Sequence, residues 1–202
     1  MGLWLGTSPL ILASQSSARK MLLANAGLEF WAVTADIDER GIQAVSALSS
    51  PREIALLLAR EKAKAVSARH PGSYVIGADQ TLALGSRLFN KPSGRDQALA
   101  QLRDLAGNTH ELNSAVAVAH DGKIVFEDVS IARMTMRGMT DAELSAYLDA
   151  AGDAVTTSVG AYQLEGLGVH LFERIEGDHF TILGLPLLPL LAFLRRERLV
   201  AV

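Results

Sequence analysis

Short apolar runs alternate with longer amphipathic segments along this sequence of 202 residues. The continuous apolar run 10–13 predicts a buried strand, and a helix-forming segment at 18–26 follows it across a Ser-rich turn. A second strand is predicted at 30–35, a long helix from Pro51 to about 70–72, and a third strand at 74–78. The first part of the chain therefore indicates βαβ-like connections.

The second half of the chain predicts hairpins as well as helices. A short hairpin or loop at 82–89 and a helix at 93–105 precede a long hairpin, whose strands 111–119 and 123–136 flank an Asp-Gly turn. A capping box from Thr140 to Glu143 begins a helix at 140–150. Another hairpin is predicted from 169–175 and 179–183, before a closing helix at 186–196. Together these elements predict an α/β fold with one mixed, twisted sheet and flanking helices.

Composition limits the class of protein. Apolar residues make up 49% and charged residues 20%, which fits one folded domain over residues 1–202. The formal net charge of −3 argues against a general nucleic-acid-binding protein. Because the chain has no cysteine, it has no disulfide, no thiol nucleophile and no cysteine-ligated zinc.

The two most apolar segments do not predict contact with a membrane. The opening segment 1–14 lacks the positively charged region of a secretory signal. The run 181–194 contains two prolines and is shorter than the roughly 18 residues that a membrane-spanning helix needs. We therefore expect a cytoplasmic protein without a membrane partner.

The Ser-rich turn after the first strand is a candidate phosphate site. Two of its hydroxyls, on Ser14 and Ser16, and two cations, Arg19 and Lys20, lie at the start of the predicted helix. Free N–H groups and the helix dipole favour an anion there. The alternative is a serine N-cap followed by a solvated basic turn, because serine is a common capping residue.

Two groups of acidic residues are candidate metal or base sites. Asp79, with Gln80 beside it, follows the third strand, where a carboxylate can bind Mg²⁺ or take a proton from water. The alternative is an Asp that caps the next turn. Asp36, Asp38 and Glu39 could hold a hard divalent cation, or they could form a solvated acidic loop.

Cations on the long helix and in one turn complete the candidate chemistry. Lys91 lies in an Asn-Lys-Pro turn, whereas Arg60, Lys62 and Lys64 lie on the helix, where we expect them to face outward into solvent. No HExxH, GxSxG or Walker motif is present. Acidic groups for a metal, combined with cations for phosphates, predict metal-assisted phosphoryl chemistry.

Several of these segments together resemble the opening and internal signatures of the Maf family. They occur in the family's order and spacing from about residue 9 to residue 194. The matching segments are LILASQS at 10–16 with Arg19, LAREKA at 58–63, IGADQ at 76–80, NKP at 90–92, GAYQLEGLG at 160–168, ERIEG at 173–177 and GLPL at 184–187.

The resemblance implies a function and a fold. Maf proteins are nucleoside triphosphate pyrophosphatases, once described as septum-formation inhibitors. With a divalent cation, Mg²⁺ or Mn²⁺, they hydrolyse a nucleotide between its α- and β-phosphates, releasing a nucleoside monophosphate and pyrophosphate. The fold is related to that of inosine triphosphatase, a mixed sheet with flanking helices in two lobes around a cleft. Membership also implies a homodimer.

The resemblance also implies roles for individual residues. Asp79 corresponds to the proton acceptor that activates water, and it shares the metal site with Glu39. The phosphate and substrate contacts correspond to the residues Ser14, Ser16, Arg19, Lys20, Lys62, Gln80, Lys91 and Glu165. A triphosphate carries about four negative charges, which these cations and the metal would offset in the transition state.

Three positions bear on the nucleobase. One subfamily prefers dTTP and UTP, with Asp-Thr after the third strand and Gln in the late glycine motif. The other prefers 7-methyl-GTP, with Asp-Gln and Glu at these places. Here Gln80 and Glu165 resemble the second subfamily, and a carboxylate suits the cationic 7-methylguanine ring. Ala18 stands where the family has Arg or a Trp that could stack on the base.

Two other functions fit the same residues. One is a non-catalytic regulator of cell division, which would bind nucleotide or nucleic acid through the basic residues without turnover. The other is a house-cleaning enzyme for deaminated purine nucleotides, which uses a related fold. Substrate preference and the need for metal distinguish these hypotheses from the pyrophosphatase.

Overall fold

A mixed sheet is the centre of the computed structural model, which describes residues 2–202. Among those residues seven strands pair in the order β2-β1-β3-β5-β6-β7, and β4 pairs with β3. Strands β1 and β2 are parallel, as are β1 and β3, whereas β4 and β7 lie antiparallel to their neighbours. The strands are β1 (Leu10–Leu12), β2 (Phe30–Ala32), β3 (Tyr74–Leu84), β4 (Arg87–Phe89), β5 (Thr109–His120), β6 (Lys123–Met136) and β7 (Phe172–Glu176). The predicted mixed α/β fold is confirmed.

Helices connect most of the strands, and their ends follow the capping signals of the sequence. Ser50 caps the long helix, with Pro51 in its first turn, and the capping box between Thr140 and Glu143 is present. The helices are α1 (Ser17–Asn25), α2 (Glu39–Ser46), α3 (Pro51–Ser67), α4 (Arg95–Leu105), α5 (Asp141–Ala151), α6 (His179–Ile182) and α7 (Leu187–Arg196). Short 3₁₀ turns lie at Gly152–Thr156, Val159–Ala161 and Leu167–Leu171.

The chain divides into two compact units. The first contains the described residues up to Gln80, with Ser114–Ser130 and His179–Val202, and the second contains Thr81–Asn113 and Ile131–Asp178. Strands β3, β5 and β6 each contribute residues to both units. The single domain over residues 1–202 stays a prediction.

The core of the first unit lies on both faces of its strands. On one face the apolar residues of β1 and β3 pack with Leu190, Phe193 and Leu194 of α7. On the other face, alanines at positions 55, 59 and 63 of α3 meet alanines at 115, 117 and 119 of β5. Because both surfaces consist of methyl groups, α3 can lie close to the sheet.

The hairpin predicted from 169–175 and 179–183 is wrong. Strand β7 pairs with β6 instead, in an antiparallel register that joins Arg133 to Glu176. Residues His179–Ile182 form a short helix, α6, with Thr181 and Ile182 buried. A four-residue apolar segment fits a strand or a buried helical turn equally well by pattern, so long-range packing decides between them.

Two further elements differ from the prediction. The acidic stretch at 36–39 leads into helix α2, whose N-cap is Asp38, and the sequence patterns did not predict this helix. Strand β3 continues to Leu84, well past the predicted end at residue 78.

Across residues 2–202 no helix is both long enough and apolar enough to cross a membrane.

Candidate active site

A buried lysine joins two carboxylates in the first unit. The Nζ of Lys62 donates to Oδ1 of Asp79 at 2.6 Å and lies 2.9 Å from Oε1 of Glu39. Lys62 is 9% exposed and Asp79 is 8% exposed, whereas the Glu39 side chain is about half exposed. The prediction that Lys62 faces solvent is therefore wrong, because its ammonium has two anionic partners near the sheet.

Close packing of α3 on β3 places Lys62 beside Asp79. A Cβ built on Gly77 would collide with the carbonyl oxygen of Ala59 and lie 2.6 Å from the backbone nitrogen of Ala63. Only glycine allows the helix backbone to approach the strand this closely. Lys62 follows Ala59 by three positions, so it lies on the same face of α3 and reaches the strand two residues beyond Gly77.

Asp79 lies inside β3, not at its end as the sequence predicted. Parallel pairing with β1 ends where Leu12 meets Ile76, and the amide of Ala13 makes one further bond to Ile76 at 2.8 Å. Burial raises the pKa of the Asp79 carboxyl, although Lys62 and Arg19 both favour its ionised form. A carboxylate with a raised pKa is better suited to accept a proton near neutral pH.

Arg19 turns inward from α1 to the backbone of β3. Its Nε donates to the carbonyl of Gly184 at 2.8 Å, and its Nη1 donates to the carbonyl of Ala78 at 2.9 Å and to the Ser14 hydroxyl at 3.3 Å. Burial lowers the pKa of Arg19, and the nearby Asp79 and Glu39 carboxylates oppose that change. Arg19 thus adds a positive charge beside Asp79.

The rest of the Ser-rich turn is ordered by its own hydroxyls. Ser16 is the N-cap of α1 and accepts from the amide of Arg19, and Ser14 accepts from the amide of Ser16 at 3.2 Å. Lys20 lies farther out and donates to the side chain of Gln15 at 3.0 Å. The N-cap alternative is confirmed for Ser16, and phosphate binding by this turn stays a prediction.

Gln80 is held by the segment that contains α6. Its amide nitrogen donates to the Ser114 hydroxyl at 2.8 Å and to the carbonyls of Thr181 and Ile182, each at 3.1 Å. The same segment ends at Gly184, which packs against the side chains of Gln80 and Arg19. Gln80 is therefore fixed in orientation, and its role toward substrate stays a prediction.

The acidic stretch at 36–39 does not form a metal cluster. Asp38 accepts from the amide of Gly41 at 3.0 Å, Asp36 lies 3.7 Å from Arg69, and only Glu39 approaches Lys62. Within residues 2–202 no three acidic or histidine side chains gather as metal ligands. Metal binding by Glu39 and Asp79 stays a prediction.

Two predicted substrate residues lie in the second unit. Lys91 is exposed in the turn after β4, and Gln101 supports this turn by donating to the carbonyl of Asn90 at 2.8 Å. Glu165 is exposed in the glycine-rich loop before Leu167–Leu171. Their roles toward substrate stay predictions.

A buried histidine and tyrosine anchor that glycine-rich loop, and neither is among the site residues predicted from the sequence. Nε2 of His110 and the hydroxyl of Tyr162 are 2.7 Å apart, and both rings pack against Phe172. Burial lowers the pKa of His110 to about 4 and raises the pKa of Tyr162. His110 is therefore neutral at pH 7, and the pair fixes the loop three residues before Glu165.

Replacing Tyr162 by phenylalanine is expected to lower the free energy of unfolding by about 1 kcal/mol, the usual net contribution of one hydrogen bond. The change leaves Nε2 of His110 without its buried partner, and Nδ1 is already unpaired in the described structure. Denaturant unfolding measures the loss. Tyr74→Phe is the matched control, because Tyr74 packs through its ring on Trp4 and His120. Equal losses of stability in the two variants would contradict a stabilising hydrogen bond between His110 and Tyr162.

Comparison with known proteins identifies the family of this chain. Residues 9–197 match the family model described as Maf-like protein. The chain is 89% identical over its full length to a nucleoside triphosphate pyrophosphatase of Bradyrhizobium diazoefficiens, and 66% identical to one of Rhodopseudomonas palustris, with all of each chain covered. It is 52% identical to a 7-methyl-GTP pyrophosphatase of Brucella abortus biovar 1, covering 95% of this chain and 98% of that protein. The chain belongs to the Maf family.

Proposed function

We propose that this chain is a nucleoside triphosphate pyrophosphatase, which hydrolyses the α–β phosphoanhydride to a nucleoside monophosphate and pyrophosphate. The observation that carries the proposal is the buried carboxylate of Asp79, held by Lys62 and next to Arg19. The names of the relatives from Bradyrhizobium and Rhodopseudomonas support the same activity. A base beside two cations is suited to the hydrolysis of a polyanion, because the base can activate water and the cations can stabilise the developing negative charge.

Asp79 acts as the general base in this proposal. The water oxygen forms a bond to phosphorus, the anhydride bridge opens with its electron pair on the leaving phosphate oxygen, and one water proton passes to Asp79. The raised pKa of the Asp79 carboxyl helps it accept that proton. Arg19 and Lys62 offset the negative charge that develops on the phosphate oxygens. Lys20, Ser14 and Ser16 lie at the neighbouring helix start, where they would contact the outer phosphates.

The donor set fits Mg²⁺ or Mn²⁺. Glu39 and Asp79 each present a carboxylate oxygen to the ammonium of Lys62. The two oxygens therefore lie close enough together to contact one small cation. Mg²⁺ is commonly held by one or two carboxylates with substrate phosphates, and these two residues would hold it here. A bound divalent cation would withdraw charge from the phosphate oxygens and favour attack by water.

For the nucleobase we propose a 7-methylated guanine as the first candidate and the pyrimidines of dTTP and UTP as the second. Gln80 and Glu165 support the first, as does the relative from Brucella that is named a 7-methyl-GTP pyrophosphatase. Ala18 cannot stack on the base, so selectivity would rest on Glu165. Lys91 stays a proposed phosphate contact, and a cytoplasmic location and a homodimer stay proposals from the family resemblance.

A panel of nucleotides tests the proposal. The purified chain with Mg²⁺ or Mn²⁺ is expected to release pyrophosphate and a monophosphate from 7-methyl-GTP, and less from dTTP, UTP, CTP, GTP and ITP. Chromatography of the monophosphate and a coupled pyrophosphate assay measure both products. Nucleotide binding without metal and without turnover would support the non-catalytic alternative. A preference for ITP would instead support the enzyme for deaminated purines.

A further inference from the structure

Lys62 contacts both carboxylates that the proposed function assigns to a divalent cation. Its Nζ lies 2.6 Å from Asp79 and 2.9 Å from Glu39, and the Lys62 side chain is only 11% exposed. An ammonium is a compact charge with three donors, so it can satisfy two carboxylates at once. In the protein without nucleotide, Lys62 therefore supplies the positive charge that these oxygens require.

The local charges oppose entry of a metal ion by itself. Glu39 and Asp79 contribute two negative charges, and Lys62 and Arg19 contribute two positive charges beside them. A divalent cation would compete with the Lys62 ammonium for the same oxygens and add two positive charges beside the buried Lys62 and Asp79. Coulomb repulsion is strong where burial lowers the effective dielectric constant.

A triphosphate reverses this balance. It brings about four negative charges and offers phosphate oxygens as a new partner for the Lys62 ammonium. The lysine side chain has a flexible four-carbon stem, so its ammonium can move from a carboxylate to a nearby phosphate. The carboxylates are then available to a cation that the phosphates also bind.

We infer that Lys62 couples metal binding to nucleotide binding: its ammonium excludes a divalent cation from Glu39 and Asp79 until phosphate oxygens draw it away. This inference rests on the proposed function for the identity of the polyanion. The coupling is reciprocal, so the metal also strengthens nucleotide binding. The free protein consequently has low affinity for Mg²⁺ or Mn²⁺ at any site formed by these two carboxylates.

The test is a titration of the full chain with Mn²⁺ in the absence of nucleotide. Binding is measured by the decrease in the electron paramagnetic resonance signal of free Mn²⁺. We expect millimolar or weaker binding for the unmodified protein and one site per chain at least about tenfold tighter for Lys62→Met, within the range of typical coupling. Lys64→Met is the matched control, because Lys64 is an exposed lysine on the same helix with Glu61 as its partner. It is expected to bind Mn²⁺ like the unmodified protein.

A double variant identifies the oxygens that bind the ion. Adding Glu39→Gln to Lys62→Met is expected to remove the gain, and an undiminished gain would overturn the inference. Equal Mn²⁺ affinity in Lys62→Met and the unmodified protein would overturn it too. Lys62→Gln replaces Lys62→Met if the methionine variant does not fold. A site in the unmodified protein that binds Mn²⁺ with micromolar affinity would refute the inference without any variant. None of these readouts needs turnover, so they are independent of the nucleotide panel.

Discussion

An Asp79→Asn variant is expected to hydrolyse nucleotides about 10²–10⁴-fold more slowly than the unmodified chain, the usual contribution of a general base. Asparagine keeps the shape of the side chain and can still accept from Lys62, but it cannot take a proton from water at neutral pH. Steady-state release of pyrophosphate at saturating nucleotide measures the loss in kcat. Asp96→Asn is the matched control, because Asp96 is an exposed residue in the first turn of α4.

The pH profile separates a base from a carboxylate that only binds. Burial raises the pKa of Asp79, and a base works in its ionised form, so kcat/KM should fall as the pH decreases through that raised value. This fall in kcat/KM on the acid side of the profile, the acid limb, is therefore expected to have its midpoint above the ordinary aspartate pKa of about 3.9. In Asp79→Asn this limb should disappear. A variant that keeps full activity and the same acid limb would show that another group accepts the proton.

A Gly77→Ala variant is expected to lose about 3 kcal/mol of unfolding free energy, the upper end of the usual cost of overpacking. The added methyl group would collide with the carbonyl of Ala59 and lie 2.9 Å from the Cβ of Ala63. The first of these is helix backbone, which cannot rotate away, so α3 itself must shift. Thermal unfolding measures the loss, which should lower the midpoint by several degrees for a chain of this size.

Gly138→Ala is the control for the Gly77 variant, since no atom lies within 4 Å of a Cβ at Gly138. Displacement of α3 should also separate Lys62 from Asp79, so Gly77→Ala should lose activity at temperatures where it remains folded. A variant that keeps full stability and full activity would contradict the close approach of α3 and β3. Loss of stability with normal turnover would show that this approach does not govern the position of Lys62.

Local signals in the sequence predicted much of the fold. The first strand, the serine cap of α1, proline at the start of α3 and the capping box of α5 are short-range features, and each occurs as predicted. The Asp-Gly turn joins β5 and β6, with a positive φ at both residues. The short helix α6 could not be predicted in this way, because its four residues carry no periodicity.

The candidate site was less predictable, because its geometry depends on contacts across the first unit. One signal for Lys62 was present: it lies four residues after Leu58 and four before Val66, and both are buried. Helical periodicity thus places Lys62 on the inward face, against the general expectation for lysine. A glycine inside a predicted strand was a second signal, since Gly77 marks a close backbone approach. Nothing local indicates that Arg19 reaches the carbonyl of Gly184.

The bonds of Arg19 also constrain when a newly made chain can complete its site. Gly184 lies 165 positions after Arg19, yet its carbonyl accepts the Nε hydrogen that orients the guanidinium beside Asp79. A ribosome therefore has to synthesise the chain through Gly184 before this bond can form. The early strands and α1 are synthesised first, but the charge arrangement around Asp79 is completed only when the segment that contains Gly184 has joined them.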